Sequence, residues 1–177
     1  MYGNKLNGSI TFYYDSKDLF NEVGILSAYM AKNYKDESGS MLDELSISDD
    51  EKDIYNVCLK QALPNIYDEM VKMTACVVDA FDSESEVKVD ETDGLKRKAG
   101  TYVEFTLRNN NAFNSNVLTV VDYTLLNCIK FAVLAEFYSV CLHADLYRIS
   151  RDKFNANVMQ LRQRMFPLKK RVVSSQI

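Results

Sequence analysis

Residues 117–149 read VLTVVDYTLLNCIKFAVLAEFYSVCLHADLYRI, and this longest apolar stretch of the chain decides the predicted fold. Its apolar side chains cover more than one face of a helix, which predicts one helix from about residue 115 to about residue 148. Charged residues interrupt the stretch at Asp122, Lys130, Glu136, Asp145 and Arg148, and they argue against a membrane span. The pattern therefore predicts a long helix at the centre of a bundle or in a subunit interface.

Two further helices are predicted before this stretch. The first has Asp15 and Ser16 as candidate N-caps, and its apolar residues recur on one face at Leu19, Val23, Leu26 and Met30. The second opens on Ser48-Asp49-Asp50-Glu51, a capping box in which Ser48 is the N-cap. We expect its buried face to include Ile54, Val57, Cys58 and Gln61, and we expect Pro64 to kink it or to start a new helix that continues to about Ala80.

The remaining pattern predicts a small β element. Residues 9–14 are β-branched and aromatic, and residues 101–107 alternate between apolar and polar, so both read as strands that pair with each other. Residues 82–100 are rich in charges of both signs, which predicts an exposed acidic loop or mobile hairpin with a weak strand at Val87 and Val89.

The last helix is predicted after Ser150, which can act as its N-cap. Its apolar stripe is Phe154, Val158, Leu161 and Met165, and Pro167 ends it. The expected fold is mainly α: a helical bundle with a long central helix, a small two- or three-stranded β element and an extended basic C-terminal arm. Residues 1–150 would form the bundle domain, and residues 151–177 the amphipathic basic helix and the arm.

The charge of the chain is divided between its two parts. Residues 1–100 carry 20 acidic and 11 basic side chains, a net charge of −9, while residues 101–177 carry 5 and 10, a net charge of +5. Seven of the ten basic residues of the second part follow Ser150. An acidic body with a basic appendage indicates contact with something acidic, including another copy of the chain.

Residues that could support catalysis are few. His143 is the only histidine, which excludes metal sites that need two, and its helix neighbours Ser139 and Cys141 are poor candidates for a nucleophile. The four cysteines, Cys58, Cys76, Cys128 and Cys141, stand singly within apolar patterns and are interpreted as buried thiols. The six glycines are scattered and form no phosphate loop. We therefore expect no enzyme, no metal and no cofactor.

Three uses of the basic C-terminal segment remain open: packing within the chain, docking on a protein, and binding to nucleic acid or lipid. Its aromatic residues, Phe154 and Phe166, are few for base stacking, and its polar face is poor in lysine for a membrane surface. In the docking interpretation the apolar stripe fills a groove and the cations meet carboxylates. The predicted partner-binding residues are Arg151, Phe154, Val158, Leu161, Arg162, Arg164, Met165, Phe166, Lys169, Lys170 and Arg171.

The layout resembles a family of phage proteins. The first stretch that carries the resemblance is Phe12-Tyr13-Tyr14-Asp15, which leads into Phe20-Asn21-Glu22-Val23-Gly24. The second is Ser48-Asp49-Asp50-Glu51-Lys52-Asp53, which leads to Leu63-Pro64-Asn65-Ile66-Tyr67. A strand, the long apolar helix and the basic helix follow. Together they are similar to head–tail connector proteins (adaptor or ring proteins) of tailed phages, in particular of the crAss-like group. These motifs are structural, and they cover most of the chain.

The resemblance implies a structural virion protein of the neck and tail region, assembled in the host cytoplasm. It implies a homo-oligomeric ring of twelve copies below the portal, contacts with the portal and other neck or tail proteins, and DNA that passes through the channel without sequence readout. It implies no active site and no membrane. In this family the C-terminal segment often grips the portal or a neighbouring subunit, which would be Arg151 to Ile177 here. The alternative is a small cytoplasmic helical protein, regulatory or associated with nucleic acid, that acts through its basic segment.

Overall fold

The computed structural model describes residues 2–3, 9–32, 34, 43–72, 76–87, 100–109 and 118–165. Within these ranges the fold is mainly α with one small sheet, as the sequence predicts. The elements in chain order are β1 (Tyr2–Gly3), β2 (Ser9–Asp15), α1 (Ser16–Ala31), 3-10 turns at Asp43–Leu45 and Asp49–Glu51, α2 (Lys52–Val71), β3 (Cys76–Val87), β4 (Gly100–Asn109), α3 (Leu118–Val140) and α4 (Ala144–Met165).

Helix α3 lies at the centre of the bundle. It packs against α4, α2 and α1 and also touches β1. Its buried residues are spread around the helix: Val121, Thr124, Leu125, Cys128, Ile129, Ala132, Val133, Leu134, Ala135, Phe137 and Tyr138. A helix whose apolar residues cover more than one face must be surrounded, so the predicted central position is confirmed.

The predicted end of the long helix is wrong. Helix α3 ends at Val140, and α4 begins at Ala144 rather than after Ser150, which is buried inside α4. Leu142 turns the chain with a φ of 54°. Its N–H donates to Ser139 O (3.3 Å) and the His143 N–H donates to Tyr138 O (3.0 Å), which is the hydrogen-bond pattern of a Schellman cap. The proposed division of the chain after residue 150 stays a prediction, and its boundary falls inside α4.

The capping box before α2 is confirmed. The Ser48 N–H donates to the Glu51 carboxylate (2.9 Å), the Ser48 hydroxyl bonds to the same carboxylate, and the Asp50 N–H donates to Ser48 Oγ (3.4 Å). The box starts a 3-10 turn that continues as α2, which runs through Pro64 as one helix.

Two details predicted for α2 are wrong. Ile54, Val57 and Gln61 are exposed, and the buried face consists of Tyr55, Cys58, Leu59, Ala62, Leu63, Ile66 and Met70. The helix ends at Val71, and Val77 lies in β3 rather than in a helix continuing to Ala80. Both stripes have helical spacing, and packing against α3 selects the second.

The sheet is antiparallel with the strand order β1-β2-β4-β3, so it has more strands than the two or three predicted. Strand β2 pairs with β4 as expected, with Phe12 opposite Phe105, both fully buried. Strands β3 and β4 pair as a hairpin, so for residues 82–87 the structure has the second of the two predicted alternatives, the hairpin, rather than the exposed loop. Residues 88–99, including Val89, lie outside the described residues. Tyr14 joins the sheet to α3 by donating to Asp122 O (3.1 Å).

The segment that leads into α2 is attached to α1. Ser27 Oγ donates to Gly24 O (2.8 Å) and accepts from the Ile47 N–H (2.8 Å), while the Tyr138 hydroxyl donates to Ser27 O (3.4 Å). A Cβ at Gly24 would lie 2.9 Å from Ile47 O, so only glycine allows this approach without a shift. The contact fixes where α2 starts relative to α1 and α3.

Candidate functional site: the surface around the α3–α4 turn

The apolar stripe of α4 lies in the core of its own chain. Phe154, Val158, Leu161 and Met165 are all buried, and α4 packs along α3. The sequence left three uses open for the basic C-terminal segment, and packing within the chain accounts for these four residues. The other predicted partner-binding residues are Phe166 and the charged residues.

The charged residues that are predicted to bind a partner differ in their exposure and in their contacts. The Arg151 guanidinium lies over the Phe154 ring, 5.3 Å from its centroid, so it covers the chain's own core. Arg162 is exposed and Arg164 is half-buried. Neither has an ion pair with another residue in the described ranges. Phe166, Lys169, Lys170 and Arg171 lie outside the described residues, and whether a partner binds any of these groups stays a prediction.

An exposed apolar pair on α1 was missed by the sequence reasoning. Ile25 and Tyr29 are each 73% exposed and lie one helical turn apart, on the opposite side from the buried Leu19 and Val23. Their i, i+4 spacing is visible in the sequence. This spacing alone did not identify the pair as exposed, because Leu19, Val23, Leu26 and Met30 on the same helix also have helical spacing.

A second exposed apolar surface is the turn between α3 and α4. Leu142 is 91% exposed at its tip, and Val140 is exposed beside it. The turn lies next to the segment before α2, since the Cys141 thiol donates to Glu44 O (3.7 Å). Glu44 is exposed in that segment, and its carboxylate and that of Glu51 act on the Cys141 thiol, so acidic groups lie near the turn.

His143 is used to start α4. Its Nδ1 accepts a hydrogen bond from the Leu146 N–H (3.3 Å), and its ring meets the Tyr34 ring edge to face with centroids 4.6 Å apart. An imidazole that accepts at Nδ1 carries its proton on Nε2 when neutral. The histidine therefore serves as the N-cap of α4 in the half-buried turn.

The described thiols are held in their protonated forms. Burial raises the pKa of Cys58 to about 11 and that of Cys128 to about 12. Partial burial, together with Glu44 and Glu51, raises the pKa of Cys141. A thiol with a raised pKa is a weak nucleophile and a weak metal ligand. In the part of the chain that the structure describes, no group of three or more His, Cys, Asp or Glu side chains could hold a metal ion.

Helix α3 is long and apolar enough to cross a membrane by length and composition alone. Half of its most apolar window is buried inside the protein, as in the core helix of a bundle. The expectation of no membrane therefore stays a prediction.

Comparisons with protein-family models, with curated proteins and with solved structures find no match to this chain.

Proposed function

We propose that the chain is a non-enzymatic structural virion protein, a ring-forming adaptor that links the portal to the tail in a phage neck and surrounds the DNA channel. In this proposal twelve copies form the ring, which also contacts other neck or tail proteins. The family resemblance is the reason for proposing this particular assembly. The exposed surface of the chain is the physical argument for it.

The observation that carries the proposal is that exposed apolar side chains lie at several separate places on the described surface, two of which we assign to the ring contacts. One is formed by Ile25 and Tyr29 on α1, and the other by Val140 and Leu142 at the α3–α4 turn. A ring joins each subunit to its neighbour through two different surfaces, so a ring subunit needs two such patches. Contiguous exposed apolar patches are typical of protein–protein contact sites, so the proposal requires each pair to belong to such a patch.

The non-enzymatic role is supported by how the potentially reactive groups are used. The single histidine, His143, caps a helix, and the thiols of Cys58, Cys128 and Cys141 have raised pKa values. Groups already engaged in structure are poor general bases and nucleophiles at neutral pH. Function then rests on interfaces.

The charge balance fits a wall around moving DNA. Residues 1–100 carry a net charge of −9, and an acidic channel lining repels the phosphate backbone. DNA can slide past such a wall because nothing on it binds the bases or holds the phosphates.

The test is assembly with the portal protein encoded in the same genome. Negative-stain electron microscopy and native mass measurement of the mixture should show closed rings of the chain on the portal. A chain that remains a single subunit and does not bind the portal contradicts the proposal. As a control, deletion of residues 168–177 should leave the circular-dichroism spectrum intact and abolish assembly, and loss of folding would place those residues in the core.

The alternative is a regulatory or nucleic-acid-associated protein, which the exposed Arg162 and the sequence Lys169-Lys170-Arg171 favour. It predicts DNA affinity that falls steeply as salt rises, because cations on the protein displace counterions from the phosphates. Absence of DNA binding at low salt contradicts this alternative.

A further inference from the structure

One side of α2 carries a row of exposed residues along most of the helix. Val57 is 52% exposed, Val71 is 48% exposed, and Pro64 is exposed midway between them. The three are seven residues apart, so a helix places them on one side with only a small drift. Lys60 and Asp68 are exposed four residues before and after Pro64, on the same side. These five residues form the Pro64 face.

The fold of the single chain uses the opposite side of α2. The residues that α2 buries lie there, and the helix packs through them against α3: Tyr55, Cys58, Leu59, Ala62, Leu63, Ile66 and Met70. Single exposed valines are common on protein surfaces, so their exposure alone points to no partner. The regular spacing of the Pro64 face and the charges on it carry the argument.

The two charged residues of the Pro64 face have no ion pair with another residue in the described ranges. Nearby Lys72 does have one, to Glu69 (2.6 Å). Lys60 and Asp68 lie eight residues apart, about 12 Å along the helix axis, and they do not pair with each other. Each is therefore available to a group of opposite charge on a second molecule.

The Pro64 face is complementary to a copy of itself that runs in the opposite direction. About a twofold axis at Pro64, Lys60 of each copy faces Asp68 of the other, and Val57 of each copy faces Val71 of the other. In a parallel arrangement the lysines would face each other and so would the aspartates, which like-charge repulsion disfavours. Charge and apolar character therefore select the antiparallel pair.

We propose that two copies of the chain associate through their Pro64 faces, with the two α2 helices antiparallel about a twofold axis at Pro64. The contact uses the same surface on both copies, so it closes after two of them. Residues 57–71 span about 21 Å of helix, which is short for an interface, so the dimer exchanges with the monomer. The inference goes beyond the proposed function, whose ring contacts lie on α1 and at the α3–α4 turn.

The first test is sedimentation velocity of the full chain over a range of concentrations, with native mass measurement of the species formed. The wild-type chain should change from monomer to dimer as its concentration rises. Lys60→Glu and Asp68→Lys each turn two attractive pairs into two repulsive ones, so each should raise the dimer dissociation constant about tenfold. A wild-type chain that stays monomeric at every soluble concentration, or single variants that dimerise normally, overturn the inference.

The double variant Lys60→Glu/Asp68→Lys tests the direction of the helices. It restores both ion pairs in the antiparallel arrangement, so its dissociation constant should return to about the wild-type value. A double variant that dimerises as poorly as the single variants overturns the twofold axis at Pro64. The two single changes shift the net charge of −4 in opposite directions, so a loss common to both does not come from net charge.

Lys153→Glu is the matched control for the charge reversals, because it reverses an exposed lysine on α4. It should dimerise like the wild type. All of the reversed residues are exposed, so the circular-dichroism spectra should be unchanged. A Lys153→Glu chain that loses dimerisation as strongly as Lys60→Glu overturns the assignment to the Pro64 face.

Val57→Ser tests the apolar part of the contact. It removes apolar surface from both ends of the paired helices, so we expect the dissociation constant to rise about tenfold. The matched control is Val120→Ser, the same change at a 40% exposed position on α3, and it should leave dimerisation unchanged. Equal effects of the two changes overturn the pairing of Val57 with Val71.

The two proposals fail separately. A chain that dimerises through the Pro64 face and ignores the portal retains the inference and contradicts the adaptor function. A chain that forms rings on the portal but shows no dimer by itself at any soluble concentration retains the function and contradicts the inference.

Discussion

The entry into α2 and the turn between α3 and α4 are two junctions of opposite kinds. At Ser48–Glu51 each side chain suits its backbone, because the serine and the glutamate satisfy free N–H groups at the helix start. At the α3–α4 turn Leu142 occupies a conformation that suits glycine, and its side chain points into solvent. The first junction is stabilised by local chemistry. The second also has local hydrogen bonds, those of the Schellman cap and of the His143 cap, but its left-handed residue is not the glycine that this conformation favours, and the Leu142 side chain is exposed.

Leu146→Ala should break the second junction most strongly. Leu146 is buried in the first turn of α4, and removing its side chain leaves a cavity next to the turn. We expect a loss of about 3 kcal/mol in the free energy of unfolding, measured by urea denaturation. The neighbouring Tyr147→Ala, at an exposed position, is the control and should change the same quantity by less than about 1 kcal/mol. Equal effects would mean that packing does not hold the turn.

Gly24→Ala should disturb the first junction from a distance. Alanine normally stabilises a helix relative to glycine, but here its Cβ would meet Ile47 O at 2.9 Å. We expect a loss of about 2 kcal/mol, since the segment before Ser48 must shift. Asn21→Ala, exposed on the same helix, should slightly stabilise the chain in the same thermal or urea experiment. A stabilised Gly24→Ala would contradict the close approach.

Ser48→Ala should weaken the first junction by removing the N-cap. The lost hydrogen bonds correspond to about 1 kcal/mol in the free energy of unfolding. Ser48→Thr provides the matched control, because threonine keeps the hydroxyl that caps the helix and bonds to Glu51, and it should retain most of the stability. If alanine and threonine behave alike, the cap contributes nothing.

Leu142→Gly should raise the free energy of unfolding of the single chain. Relief of the left-handed conformation outweighs the greater freedom of glycine in the unfolded chain, so we expect a gain of about 0.5 to 1 kcal/mol. A melting temperature below that of the wild type would show that Leu142 contributes to the fold of the single chain.

Acid should weaken the first junction more than the second. Hydrogen bonds from Ser48 lower the pKa of Glu51 below its ordinary value. The folded state therefore binds this proton less readily than the unfolded state, so the stabilisation is present above the ordinary pKa and is lost as the pH falls through the lowered one. Glu51→Gln should remove this part of the acid dependence of the melting temperature, and an unchanged acid limb would contradict the assignment.

The sequence predicts those parts of the fold that have a local cause. Asp15 caps α1, Ser48 starts the capping box, and the paired strands alternate in polarity, so all three are confirmed. The break at Leu142 was missed because neither glycine nor proline marks it. The face of α2 was misjudged because Ile54 and Val57 are as regularly spaced as the residues that are buried.

The candidate surface was predictable only in part. The basic character of α4 is visible in the sequence, but the burial of Phe154 and Met165 against α3 is a tertiary fact. The position of the turn beside Glu44 depends on how the segment before α2 crosses the bundle, and no local pattern encodes that crossing. The basic segment was therefore visible in the sequence, and the exposed turn was found only in the fold.

Cryo-electron microscopy of the full chain mixed with the portal protein of the same genome tests the central claim most directly. The expected result is a closed ring of this chain on the portal. A portal free of the chain, with the chain remaining a single subunit in the same sample, would contradict it.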